Sequence, residues 1–161
     1  MGLKDVRLPG MNGNRKEVAP VAESRPLVNV MTQDVTLDCV DLAGTSRQLE
    51  AELAYDALDP FAITMTFKTK HADVPWVFCR ELLLQGISNP TGEGDVHVWP
   101  SIDIEGRAVT VIELHSNSGS FVAHARTPEI HDFVSRTLEM VPLGTESIDL
   151  DELVDALLPS V

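Results

Sequence analysis

The sequence predicts an α+β domain: antiparallel strands in two sets, about seven in all, a short central helix between the sets, and two C-terminal helices. Three observations carry this. Apolar and polar residues alternate with a period of two through most of residues 30–79 and again through residues 96–126. Between them Arg80–Gln85 turns helical and is followed by Gly86. After Thr127 the apolar residues fall on helical stripes in two separate stretches.

Residues 1–29 are polar and hold Gly2, Pro9, Gly10, Gly13, Pro20 and Pro26 without a sustained period. They read as a flexible N-terminal tail ahead of one domain over residues 30–161. Lys4, Arg7, Arg15, Lys16 and Arg25 make this tail the net-positive part of the chain.

In the first strand Met31, Gln33, Val35, Leu37 and Cys39 alternate with Thr32, Asp34, Thr36 and Asp38. Ala43–Ser46 is a turn. Leu49, Ala51, Leu53 and Tyr55 then alternate with polar or small residues, and Asp56–Pro60 turns the chain. The clearest strand signal is Phe61, Ile63, Met65 and Phe67. Val74–Phe78 is almost wholly apolar and is expected to be a short strand buried on both faces.

The stretch His71–Pro100 holds both tryptophans and reads as the structural hinge between the two strand sets. Arg80 stands near a helix start, where the dipole disfavours a cation, so it is expected to have a partner such as an acid on a neighbouring strand. Gly86 is expected to cap that helix in the left-handed conformation. Thr91–Asp95 is glycine-rich but leads into a strand and lacks a following Lys-Ser/Thr, so it is not a phosphate loop. Val96–Trp99 is a strand that Pro100 is expected to end. Ile104–Arg107 turns tightly into a β-rich run, Ala108–His115, and Asn117-Ser118-Gly119 signals a hairpin into the last strand.

The first C-terminal helix has Thr127 as expected N-cap, Pro128 at its first position and a stripe of Ile130, Phe133, Val134, Leu138 and Val141, with Pro142 as its stop. The second opens on Asp149 with Glu152 three residues later, a capping-box variant. Its stripe is Leu150, Leu153, Val154, Leu157 and Leu158.

Composition excludes several functions. The formal net charge of −13 leaves the chain short of the Lys and Arg that nucleic acids and anionic membranes demand. No apolar run approaches the roughly 20 residues that span a bilayer. Cys39 and Cys79 are far apart and read as two buried thiols of a cytoplasmic protein. No catalytic arrangement stands out. Ser116, Ser118 and Ser120 lie near His115 and Asn117 but without a nucleophile elbow. His97, His115 and His124 sit on expected strands, where half-buried structural histidines are the common case, and no zinc spacing is present. The reading is a non-enzyme with no catalytic residue, no metal and no cofactor.

Three motifs resemble those of one family. The stretch Leu53–Phe67, with Tyr55, Asp56, Asp59 and Pro60, is similar to the Y-D-x-x-D-P-[YF]-A-V-x-x-x-F signature of the SsgA-like sporulation and cell-division proteins of mycelial actinobacteria. Trp76, Phe78, Arg80 and Glu81-Leu82-Leu83 resemble its W-x-F-A-R-[DE]-L-L, with Cys79 where Ala is usual. Gly86, Pro90, Gly92, Gly94, Asp95, Trp99 and Pro100 follow its G-x-x-x-P-x-G-x-G-D-V-x-[VI]-W-P. The resemblance runs from about Val35 to the C-terminus and is closest to the SsgB branch.

It implies a whirly-like fold, usually oligomeric with a trimer favoured. It also implies a non-catalytic protein at division septa that recruits the tubulin-like division protein FtsZ and promotes its assembly, with an SsgA-type relative as partner. Tyr55, Asp56, Asp59, Pro60, Trp76, Phe78, Arg80, Gly86, Pro90, Gly92, Gly94, Asp95, Trp99 and Pro100 are then structural or interaction residues. The alternative that the fold type suggests is a single-stranded nucleic-acid-binding module. Such sites want a basic groove with stacking aromatics, and this chain is acidic with 5% aromatic residues.

Overall fold

In a computed structural model of the chain, residues 29–158 are described, apart from Leu42 and Asp149 and the side chains of Glu152, Leu153 and Ala156. The expected tail and the Asp149–Glu152 capping box therefore lie outside the described residues, Asn29 and the Glu152 backbone excepted. The chain divides into two units, Met1–Met31 and Thr32–Val161. Of the first, only Asn29 and the start of the first strand are described.

The elements run β1 (Val30–Val40), β2 (Ser46–Asp56), β3 (Ala62–Lys68), β4 (Asp73–Cys79), α1 (Arg80–Gly86), β5 (Thr91–Glu93), β6 (Val96–Ile102), β7 (Ala108–Ser116), β8 (Gly119–Arg126), α2 (Thr127–Met140) and α3 (Leu150–Leu157). The strands form one sheet in the order β4-β3-β2-β1-β8-β7-β6-β5. The two expected sets are two four-stranded meanders. They are joined through β1 and β8, antiparallel and in register at Asp38 with His124 and Cys39 with Ala123. The eighth strand, β5, has only three residues and lies within the glycine-rich turn, too short to show a period.

The sheet curls. Phe67 on β3 and Phe121 on β8 meet edge-on with ring centroids 5.3 Å apart. Three strand steps separate β3 from β8. In a flat sheet that is roughly 14 Å, so the two meanders must fold towards each other. Their facing sides hold the core: Leu37, Leu53, Ile63 and Met65 from one, Val98, Ile112, Ala123 and Ala125 from the other. Each large apolar side chain buried this way contributes roughly 1.5–3 kcal/mol.

Leu83 of α1 and Ile130, Phe133 and Val134 of α2 are buried as well. On the stripe of α2, Leu138 is half-buried and Thr137 takes the buried place. The Thr137 hydroxyl donates to Val134 O at 2.7 Å, which lets a polar side chain sit in the core. Gln33 ties α2 to β1: its Nε2 donates to Glu129 O at 3.0 Å, and its Oε1 accepts from the Arg136 guanidinium.

Several expectations are corrected. The apolar strand Val74–Phe78 is not buried on both faces: β4 is an edge strand, with Val77 61% and Val74 43% exposed. The doubly buried strand is β7, between β8 and β6, where Val109, Thr110, Val111 and Ile112 are all covered. Pro100 does not end its strand. It lies within β6 opposite Thr110, past the stretch that β5 pairs, so its missing N–H costs no ladder bond on that side. Thr127 is inside α2, whose N-cap is Arg126, and its hydroxyl bonds Thr110 Oγ1 at 3.0 Å instead of capping the helix. The thiols are not both buried: Cys39 is half-buried and Cys79 is exposed.

Candidate interaction surface

The residues of the first two motifs build a clamp. Tyr55 ends β2 with its ring buried and donates its hydroxyl to Pro60 O at 2.9 Å. Asp56 Oδ1 accepts from Leu58 N at 2.9 Å, and Asp56 O accepts from Asp59 N, which closes the turn to Pro60. Beside this turn, where β3 begins and β4 ends, Arg80 N donates to Phe61 O at 2.7 Å.

The Arg80 side chain is 2% exposed. Its guanidinium carbon lies 5.1 Å from the Tyr55 ring centroid. Nη1 donates to Thr137 O at 3.1 Å and Val141 O at 2.8 Å; Nη2 donates to Glu146 Oε2 at 2.9 Å. The expected partner exists. It comes from the loop after α2 rather than from a strand, and the cation sits at the C-terminal carbonyls of α2, where a helix dipole favours it. Glu146 Oε1 also accepts from Gly144 N at 2.7 Å. The Glu146 carboxyl is held below its ordinary range, first by its own backbone N–H and then by Arg80 and Gly144.

The third motif sets the approach of α1 to β6. Gly86 is not left-handed. A Cβ there would lie 2.2 Å from Val98 Cγ1 and 2.6 Å from Val98 Cβ, so the glycine exists for close packing. Gly92 plays the same part for His97, whose Cδ2 would be 2.2 Å from an added Cβ. Gly94 has φ +60° and makes the β5–β6 turn, and Asp95 O accepts from His115 N at 2.8 Å. Trp99 and Pro100 are half-buried, while Pro90 is exposed.

Trp76 and Phe78 belong to the edge strand, opposite Met65 and Ile63. Trp76 lines a largely apolar groove of about 350 Å³ with Leu49, Phe67, Val74, Leu114 and Phe121. Val77 points from the other face of the same strand. The stripe of α3 is open too: Leu150, Val154, Leu157 and Leu158 are exposed.

Of the three strand histidines, two come together. His97 and His115 meet edge-on with centroids 5.3 Å apart, and Glu113 Oε1 is 3.3 Å from His115 Nε2. His124 is outside this group, opposite Val111. Sequence reasoning missed Glu113 and Glu146. Glu146 stands 66 residues from its partner in a segment without periodicity, but a period-two reading puts Glu113 on the His115 face of β7.

The family described as Streptomyces sporulation and cell division protein, SsgA, matches residues 49–146, more than half the chain. The chain belongs to the SsgA family. Sporulation-specific cell division protein SsgB of Streptomyces coelicolor is 42% identical over 111 residues, covering 67% of this chain and 80% of that protein. SsgB of Kineococcus radiotolerans is 39% identical over 124 residues, 75% of each chain. Among solved structures, the SsgA-like sporulation-specific cell division protein from Thermobifida fusca superimposes with a TM-score of 0.72 at 38% identity, over 80% of this chain and 96% of that one. An SsgB structure from a study of longitudinal cell division in S. coelicolor gives a TM-score of 0.68 at 38% identity, over 73% of this chain and 92% of that one.

The curled antiparallel sheet is thus the fold of solved SsgA-like proteins, and the names of the relatives support a role in cell division. The family match begins at residue 49, so β1 and the start of β2 lie outside it. Among the described residues no helix is long and apolar enough to cross a membrane.

Proposed function

We propose that this SsgA-family chain is a non-catalytic adaptor that marks sporulation septum sites by recruiting FtsZ and promoting its assembly, on the cytoplasmic side of the division septum. The observation that carries the adaptor reading is the apolar edge of β4, where Val74 and Val77 are exposed and no further strand pairs with the edge among the described residues. Proteins blunt such edges or use them, because an open apolar edge is a template for another chain. The edge serves assembly of the chain with itself, as a trimer, or with an SsgA-type relative. A rigid oligomer then presents several copies of one docking surface, and avidity raises weak contacts by up to ~10²–10⁴.

The test is co-sedimentation with polymerised FtsZ from the same organism, using the full chain, a variant lacking residues 1–29, and Val77→Lys. Saturable co-pelleting that promotes assembly, weakened by Val77→Lys together with a fall in molar mass by light scattering, is the expected result. Absence of co-pelleting at tens of micromolar from a correctly folded oligomer removes FtsZ as the partner. Full binding by a monomeric Val77→Lys protein removes the avidity argument.

A further inference from the structure

β6 and β7 pair antiparallel with His97 directly opposite Glu113, and His115 follows Glu113 by two residues. A spacing of two returns a side chain to the same face of a strand, so all three project from one side of the sheet. Their donor atoms, one from each residue, lie within 4.8 Å of one another. Glu113 and His115 are already 3.3 Å apart, about the separation of two ligands that share a tetrahedral ion with bonds of ~2.0–2.2 Å. His97 is exposed and has the freedom to close the remaining distance.

The surroundings hold this group in place. His115 N donates to Asp95 O, which fixes the end of β7 against the β5–β6 turn. Gly92 leaves the space that the His97 ring fills. The cavity in front, about 380 Å³, is lined by Pro90, Thr91, Gly92 and Trp99 together with His97 and Glu113. It leaves room for water or an outside ligand beside the three protein donors.

We propose that His97, Glu113 and His115 bind one divalent transition-metal ion of the zinc type on the outer face of β6 and β7. Two imidazoles and a carboxylate suit a borderline-soft ion and not calcium or magnesium, which take oxygen donors. The three donors stand on paired strands, so their backbone positions are set before the ion arrives and only the His97 side chain has to adjust. The fourth coordination position faces solvent.

The experiment is titration of the full, untagged chain with Zn²⁺ by calorimetry, repeated with His97→Asn, His115→Asn, Glu113→Gln and, as controls, His131→Asn and Cys79→Ser. Circular dichroism establishes that each variant is folded. The expected result is saturation at one ion per chain, with affinity reduced at least about tenfold in each of the three site variants and unchanged in the controls. Zn²⁺ should also raise the melting temperature of the parent chain by mass action and not that of a His97→Asn/His115→Asn double variant. With Co²⁺, a visible ligand-field band without a thiolate charge-transfer band is expected. Absence of saturation into the millimolar range overturns the proposal. So does stoichiometric binding that survives the double variant, or that is lost in Cys79→Ser.

Discussion

Arg80 and Glu146 meet at 2.9 Å across 66 residues of chain, and the guanidinium they share with two carbonyls of α2 lies beside the Tyr55 ring. One side chain therefore joins the β2–β3 turn, the start of α1 and the end of α2. Removing it strips three acceptors of their donor in a buried place. Arg80→Ala is expected to cost roughly 3–5 kcal/mol, the range for breaking a buried charge pair, measured by urea unfolding. Arg80→Lys should recover only part, because a point charge cannot reach all three acceptors in the planar geometry.

The same pair sets an acid dependence. Glu146 has its carboxyl held below the ordinary value. A folded-state value below the unfolded one contributes stability that is complete above the unfolded range, near pH ~4.3. It is lost as pH falls through the depressed folded value. Glu146→Gln should flatten this part of the acid limb in unfolding curves taken between neutral pH and about pH 3. A slope should remain from Asp103, whose carboxyl is lowered first by the Arg107 backbone N–H.

Gly86→Ala tests the contact of α1 with β6. Alanine favours a helix over glycine by about 1 kcal/mol. The added Cβ would stand 2.2 Å from Val98 Cγ1 and 3.3 Å from the Val98 backbone carbon. Overpacking of this kind costs about 1–3 kcal/mol, so the variant should be destabilised on balance. Val98→Ala in the same chain should remove part of that cost, visible as non-additivity in a double-mutant cycle.

Both thiols should react slowly. Burial, then Asp38, pushes Cys39 up to about 11. Cys79, though exposed, is raised by partial desolvation and then by Glu93, whose carboxylate accepts from the thiol at 3.4 Å. At pH 8 a thiol near 11 is only about a thousandth thiolate. Ellman's reagent should give two phases, the faster from the exposed Cys79 and the slower from Cys39. Glu93→Gln should accelerate only the faster one.

The strands were legible because most of them alternate: Ile63, Met65 and Phe67 face the core while Thr64 and Thr66 do not. The helices were legible from Pro128, Gly86 and the spacing of Ile130, Phe133 and Val134. What stayed hidden depends on sheet order. Val74–Phe78 reads as fully buried because its residues are apolar, yet only the neighbour it lacks makes it an edge. Gly86 reads as a cap because a glycine after a helix usually is one, while its reason here is Val98, in another element. Within the candidate site, the motifs single out Tyr55, Arg80 and Trp99 as residues, while what each one touches depends on the tertiary structure. Glu146 arrives through tertiary structure, in a segment where no local pattern marks it, whereas Glu113 shares a face of β7 with His115 by the period of two and only its meeting with His97 depends on sheet order.

The joint between the meanders has a kinetic consequence. Within each meander, consecutive strands are joined by short connections, so their pairing closes only small loops. The β1–β8 seam instead brings Asp38 to His124 and must close a loop that holds nearly the whole sheet before any of its bonds form. Non-local contacts of this kind slow folding. The two halves can therefore gain structure separately, with the seam and the Arg80–Glu146 pair closing last, and a chain that stalls there has four sheet edges among its described strands instead of two.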